Sequence, residues 1–291
     1  MRARFGAPRE VTLEANPTDC TDDNLSAWRA AGIDRLSIGM QSTDPQELVV
    51  LGRDHRFGDG AQALDRVLAH GGFAVSCDFI LGTPVAGRSP RDVASWLPAI
   101  AARPIDHLSI YELTIEPRTA FGKRAQDGRL VPHDDDALAD LYTHAHELAR
   151  AAGFDHYEIS SYARPGKRAI HNSLYWIGAP YLGLGVGAAS LAIAADGRGI
   201  RATNPRRATD YLRDPGAPAE RIELSAGEMA RDRAWLGMRT SDGVDAAALP
   251  PQVADELCAS GLAERRGERI CPTLRGFLLA DRVAARIVQA M

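Results

Sequence analysis

Three strand-like runs each end on polar residues, at the spacing of strand-helix repeats. They are Val11-Thr12-Leu13-Glu14-Ala15-Asn16-Pro17, Arg35-Leu36-Ser37-Ile38-Gly39-Met40-Gln41-Ser42 and Ala74-Val75-Ser76-Cys77-Asp78-Phe79-Ile80-Leu81-Gly82. Between the first two, Thr21 to Ala31 has an amphipathic pattern, with Asp22 and Asp23 in its first turn and Gly32 just past its end. That pattern predicts a capped helix. Strand, helix, glycine, strand is the order of βα units with parallel strands. In barrels built this way the reacting groups sit where strands end.

Further along, Ser89 is placed to cap a helix reaching about Ala102, and His107 to Leu113 reads as a fourth strand. Thr114 to Pro132 reads as a loop with an exposed turn at Asp127-Gly128-Arg129. Asp134-Asp135-Asp136 opens the longest predicted helix, where three acids suit the positive end of the helix dipole. A fifth strand is expected over Asp155 to Ser160. The run Tyr181 to Ser190 alternates glycine with apolar residues. It lacks the capped helix and downstream acid of a dinucleotide loop, so a glycine-lined strand end is the better reading.

At Asp214-Pro215-Gly216-Ala217-Pro218 the composition breaks like a linker. Beyond it come a helix over Ser225 to Met238, a second over Pro250 to Ser260, a tight turn at Arg265 to Arg269 between short strands, and a helix over Thr273 to Ala290. This order predicts a small α+β winged-helix-like domain at 221–291, after a linker at 214–220 and a larger domain at 1–213. Winged-helix folds often bind DNA, but the fold alone does not decide function. A net charge of -4 gives no electrostatic support for a nucleic-acid partner. No apolar run approaches a membrane span, and residues 1–6 carry no signal core, so the cytoplasm is the default location. Cys20, Cys77, Cys258 and Cys271 form no metal or redox spacing.

Six segments fall in the order of a known family. They are Glu14 to Pro17, Ser37 to Ser42, Leu51-Gly52-Arg53, Asp78 to Gly82, Leu113 to Pro117 and Tyr157 to Ser160. The chain resembles the radical S-adenosylmethionine proteins related to oxygen-independent coproporphyrinogen III oxidase. Ala163-Arg164-Pro165-Gly166 followed by His171-Asn172-Ser173-Leu174-Tyr175-Trp176 looks like the HemW heme-chaperone branch. The resemblance implies an α/β fold, a partial six-unit (β/α) barrel with roughly four units present. It implies a pocket for S-adenosylmethionine lined by Glu14, Gln41, Arg53, Asp78 and Thr114. Charge-assisted hydrogen bonds suit the zwitterionic end of that ligand, and carboxylate and amide groups suit its ribose. His171, Asn172, Tyr175 and Trp176 would face heme, with His171 as axial ligand, or would instead fix a loop and fill a core. His144 and His146 read as surface or packing residues.

The family holds a 4Fe-4S cluster with three thiolates in a C-x3-C-x2-C loop, and no such spacing occurs in this chain. The chain therefore reads as a member that begins at the third barrel strand. A truncated product and a cluster-free relative both account for this, and the retained pocket residues favour truncation. No catalytic residue and no cluster ligand is assigned. The expected role is heme trafficking or porphyrin metabolism, with heme or porphyrin, and a heme-accepting protein, as partners. Coproporphyrinogen III oxidation and a non-catalytic binding module are the alternatives.

Overall fold

Alternation along the strands decides which side of the main sheet is dry. In the computed structural model, which describes residues 6–53 and 57–291, β1 (Thr12–Ala15), β2 (Arg35–Gln41), β3 (Ala74–Leu81) and β4 (His107–Glu112) run parallel, each paired with the next. Leu36, Ile38, Val75, Cys77, Phe79, Leu108 and Ile110 are buried in one hydrophobic core. The alternate positions are Ser37, Ser76, Asp78, His107 and Ser109, so the opposite face is polar. A period of two puts all of one set on one side.

Helices supply the other half of that core. α1 (Asp22–Ala31) begins where the Thr21 side chain accepts from the Asn24 N–H, and it ends on Gly32 at φ +86°, as its sequence predicts. α2 (Pro45–Val50) and α3 (Phe57–His70) connect β2 to β3. The predicted helix from Ser89 is shorter than its sequence suggests. Asp92, not Ser89, caps a 3-10 turn at Val93–Ser95, and α4 (Leu97–Ala101) follows after Trp96 departs from helical angles. The predicted loop after β4 contains α5 (Ala120–Gln126), capped by Thr119, and α6 (Asp135–Ala151) is the long helix.

The fifth strand is a hairpin. β5 (Asp155–Glu158) turns at Ile159-Ser160 into β6 (Ser161–Ala163), and β6 rather than β5 pairs with β4, antiparallel. Neither turn residue is glycine, so the sequence carries no hairpin signal there. Residues 164–170 then cross the starting ends of the strands. The Ile170 N–H donates to Glu10 (2.9 Å), Arg35 donates to the Lys167 carbonyl (3.4 Å), and Lys167 pairs with Asp106 (3.0 Å). The Arg164 guanidinium donates to the carbonyls of Ala101, Ile105 and Ala152, which ties this segment to the helix layer.

Contacts divide the chain into two units, the first ending at Ile170 and the second beginning at His171. The second unit opens in α7 (Ile170–Trp176) and builds an antiparallel sheet from β7 (Ala189–Ile193), β8 (Gly199–Thr203) and β9 (Glu220–Leu224), with α8 (Ala208–Arg213) in the β8–β9 connection. The composition break at 214–218 leads directly into β9, and the Ala219 N–H donates to the Thr203 carbonyl (2.8 Å). The unit continues with α9 (Ala226–Gly237), β10 (Val244–Asp245), α10 (Pro251–Ala259), β11 (Ala263–Arg266), β12 (Arg269–Pro272), α11 (Leu274–Leu278) and α12 (Ala280–Ala290). The single helix predicted over 273–290 is broken at Leu279, whose angles leave the helical region. Helix, helix, β-hairpin, helix is the predicted order, around a core that includes Val253, Leu257, Ile270, Val283 and Ile287. Among the described residues no helix is long and apolar enough to cross a membrane.

Candidate functional site

Asp78 sits on the polar face of β3 and collects hydroxyl donors. Ser37 Oγ donates to Oδ2 at 2.7 Å and Ser76 Oγ to Oδ1 at 3.2 Å, and Ser109 on β4 stands beside Asp78 in register. Burial pushes the Asp78 carboxyl up from its ordinary range and the charge of Glu14 adds to this, while the three serines oppose it. Glu14, at the exposed end of β1, lies opposite Ser37 in register. The Tyr111 phenol on β4 is raised by burial, and feels the charges of Asp78, Glu158 and Glu14. Glu158 ends β5, is buried, and is raised chiefly by that burial.

Gln41 ends β2 at φ +64°, the one non-glycine residue with positive φ among those described. A single residue held in that region costs roughly 1 kcal/mol or more, and such strain clusters at functional sites. Its amide folds back over Gly39. A Cβ built on Gly39 would stand 2.6 Å from Gln41 Nε2 and 3.8 Å from the Ala15 carbonyl oxygen. The turn beyond is pinned by a hydrogen bond from Ser42 to the buried Glu47 and by Arg91 donating to Thr43 Oγ1 at 2.5 Å. Thr83 Oγ1, just after β3, is buried without a hydrogen-bond partner among the described residues.

The structure therefore places Glu14 and Gln41 at the ends of β1 and β2 and Asp78 within the adjacent β3, on its polar face. Arg53 lies just past α2, where its N–H donates to the Leu48 carbonyl (2.9 Å), and Thr114 lies exposed just after β4. Sequence reasoning missed Ser76, Ser109, Tyr111 and Glu158 as parts of this face. Their signal was a period-two polar pattern, Ser76 with Asp78 and His107 with Ser109 and Tyr111, inside strands read only at their ends.

The residues present fit a polar, cationic small ligand. The face offers carboxylates and hydroxyls, an amide held in place, and an orphaned hydroxyl at Thr83. They do not fit an iron–sulfur cluster. Cluster ligands are thiolates, yet burial pushes the Cys20 thiol up to about 11 and the Cys77 thiol higher still. Cys258 and Cys271 belong to the second unit.

In the second unit, His171 is exposed at the start of α7 and meets Tyr175 edge-on at 5.0 Å, and Tyr175 meets Tyr181 at 4.7 Å. Asn172 and Trp176 are half-buried on the same short helix. Tyr181 leads into the glycine-rich loop. Asn204 donates to the carbonyls of Gly183 (3.2 Å) and Gly185 (2.8 Å), and the Gly185 N–H donates to the Tyr211 hydroxyl (3.0 Å). On this pinned backbone Leu182, Leu184 and Val186 are 75%, 64% and 51% exposed.

No family model matches the chain. It is 35% identical over 283 residues to the heme chaperone HemW of Mycobacterium tuberculosis, covering 96% of this chain and 72% of that protein. It is 36% identical over 251 residues to the heme chaperone HemW of Synechocystis, covering 83% of this chain and 58% of that protein. Its fold matches the Escherichia coli coproporphyrinogen III oxidase HemN, a radical SAM enzyme, with a TM-score of 0.76 at 18% identity, over 96% of this chain and 69% of that one. The four parallel strands, their polar face and the identity carried through both units have one reading: the chain belongs to the HemW heme chaperone family of radical S-adenosylmethionine proteins.

Proposed function

We propose that the protein handles heme or porphyrin through its second unit and binds S-adenosylmethionine on the polar face of its first. The observation that carries the heme reading is the ladder His171, Tyr175, Tyr181 running into the exposed Leu182, Leu184 and Val186. An imidazole beside apolar surface is what an iron porphyrin needs, one ligand for the metal and cover for the ring. Single exposed apolar residues are ordinary, but three on one pinned loop mark a binding surface.

On the first unit, Glu14 and Asp78 are the acceptors for the ligand's ammonium and ribose, and Gln41 supplies an amide. Arg53 and Thr114 are assigned to the same pocket by the family resemblance. When bound, S-adenosylmethionine would bring a sulfonium cation to an acidic face. The cysteines of this chain give no support to radical chemistry by its own residues.

Heme binding tests the reading. Titration of ferric heme should give a shifted Soret band, and His171→Ala should weaken binding at least about tenfold. His144→Ala serves as the control, since His144 faces Asp92 (3.1 Å) in the first unit. Equal spectra and affinity for His171→Ala and the unaltered protein would remove the axial-ligand role.

A further inference from the structure

A run of buried polar side chains crosses the polar face of the sheet, and none of them beyond Asp78 has yet been given a role. Tyr157 OH lies 2.8 Å from His107 Nε2, and His107 Nδ1 lies 2.8 Å from Ser76 Oγ, which donates to Asp78. At the far end the Ala169 N–H donates to the Tyr157 oxygen at 3.3 Å. Ser76, His107 and Tyr157 are 1%, 1% and 2% exposed. Water therefore does not substitute for any link, and each polar atom must find its partner in the protein.

Counting protons fixes the direction. Each hydroxyl has one proton to give, and a neutral imidazole has one N–H and one bare nitrogen. Asp78 Oδ1 takes the Ser76 proton, as Oδ2 takes that of Ser37. The Ser76 oxygen must then accept from His107 Nδ1–H. That leaves His107 Nε2 bare, and it takes the Tyr157 proton. The Tyr157 oxygen in turn takes the Ala169 N–H. Run the other way, the chain would turn Ser76 lone pairs toward Asp78 and require a protonated acid.

We infer that Ser76, His107 and Tyr157 form a one-way donor chain that orients Asp78 and favours its charged form against the cost of burial, so that His107 is a positioning residue for the ligand Asp78 binds. The ligand part of this inference rests on the reading of Asp78 as a binding carboxylate. The chain also links that carboxylate to residues 164–170, which cross the strand starts and lead into α7. His107 suits the task because it stays neutral: burial, and then the nearby Arg35 charge, push it down to about 3.

Two measurements on the full chain test it. Nitrogen-15 NMR of the imidazole reads the tautomer directly, with no ligand present. His107 should carry its proton on Nδ1 in the unaltered protein and in Ser76→Thr. In Ser76→Ala, where Nδ1 loses its acceptor, the proton should move to Nε2 and point at Tyr157. Calorimetry with S-adenosylmethionine reads the consequence. Ser76→Ala and Tyr157→Phe should each weaken binding about tenfold, the scale of a lost hydrogen bond to a charged group. Ser76→Thr should restore it. Tyr162→Phe, which removes a buried hydroxyl packed against His156 on the helix side of the sheet, should not change it. An Nε2–H tautomer in the unaltered protein overturns the chain. Undiminished affinity in Ser76→Ala and Tyr157→Phe overturns the positioning role. If the unaltered protein binds no S-adenosylmethionine, the pocket reading falls, and the tautomer still decides whether the donor chain exists.

Discussion

Replacing His156 with phenylalanine should reduce the acid sensitivity of the first unit. His156 is buried between α6 and the sheet, stacked on Tyr162 with ring centroids 4.2 Å apart. Its Nε2 donates to the Ile159 carbonyl (3.2 Å), so its Nδ1 is the acceptor for His146 Nδ1–H at 3.1 Å. Burial first, and then the charges of His146 and Arg150, push His156 down to about 4 from an ordinary 6.5, against carbonyl hydrogen bonds that raise it. The folded pKa is the depressed one for a base, so the unfolded chain takes up the proton first as pH falls. Stability is complete above about 6.5 and is lost down to about 4. Between pH 7 and pH 5 this group costs about 2 kcal/mol. That is a large share of a domain stability of about 5–15 kcal/mol. The buried carboxyls Glu47, Asp78 and Glu158 are raised and titrate in the opposite sense. They, and the buried His107, which titrates in the same sense as His156, are common to both proteins, so the difference between the two pH profiles reads the removal of His156. Urea unfolding of each protein at pH 7 and pH 5, followed by circular dichroism, measures it. The variant starts less stable, because His146 loses its acceptor, but it should lose about 2 kcal/mol less on acidification. Equal losses, within about 0.5 kcal/mol, would refute the reasoning.

Two further outcomes follow from close approaches. Gly39→Ala places a Cβ 2.6 Å from Gln41 Nε2, the movable end of a side chain. Thermal melting should shift little, while calorimetric affinity for S-adenosylmethionine falls about tenfold as Gln41 is displaced; an unchanged affinity would take Gln41 out of the pocket. Gly243→Ala puts a Cβ 2.0 Å from the Ile270 carbonyl oxygen at a residue with φ +60°, so urea unfolding should show a loss of at least about 2 kcal/mol. A loss under about 0.5 kcal/mol would show that β12 can move away freely.

Much of the fold was legible because caps and alternation are local. Thr21 and Gly32 bracket α1, and Ser225 and Glu228 form a capping box on α9, both close in sequence to what they cap. The hairpin at Ile159-Ser160 was not legible, since its turn lacks the residues that usually mark one. The β7–β8 pair was missed because Ala189, Ala192, Gly199 and Ala202 have weak strand preference, and pairing across the sheet decides them. Of the candidate site, Asp78, Gln41 and Glu14 were read from the motifs of the family resemblance. His107 and Tyr157 were not, because their partners lie 31 and 50 residues away and only strand register brings them together. His146 was read as a surface or packing residue. It packs on His156, a contact set by the β5 register rather than by its own helix.

The main sheet keeps its stability on one side and its chemistry on the other. Leu36, Ile38, Phe79 and Ile110 hold the helices, while Ser37, Asp78 and Ser109 hold one another. Substitution on the polar side leaves the apolar side filled. Substitution on the dry side unfolds the sheet without teaching it anything new. A sheet divided in this way can change what its polar side holds by small steps and remain folded throughout.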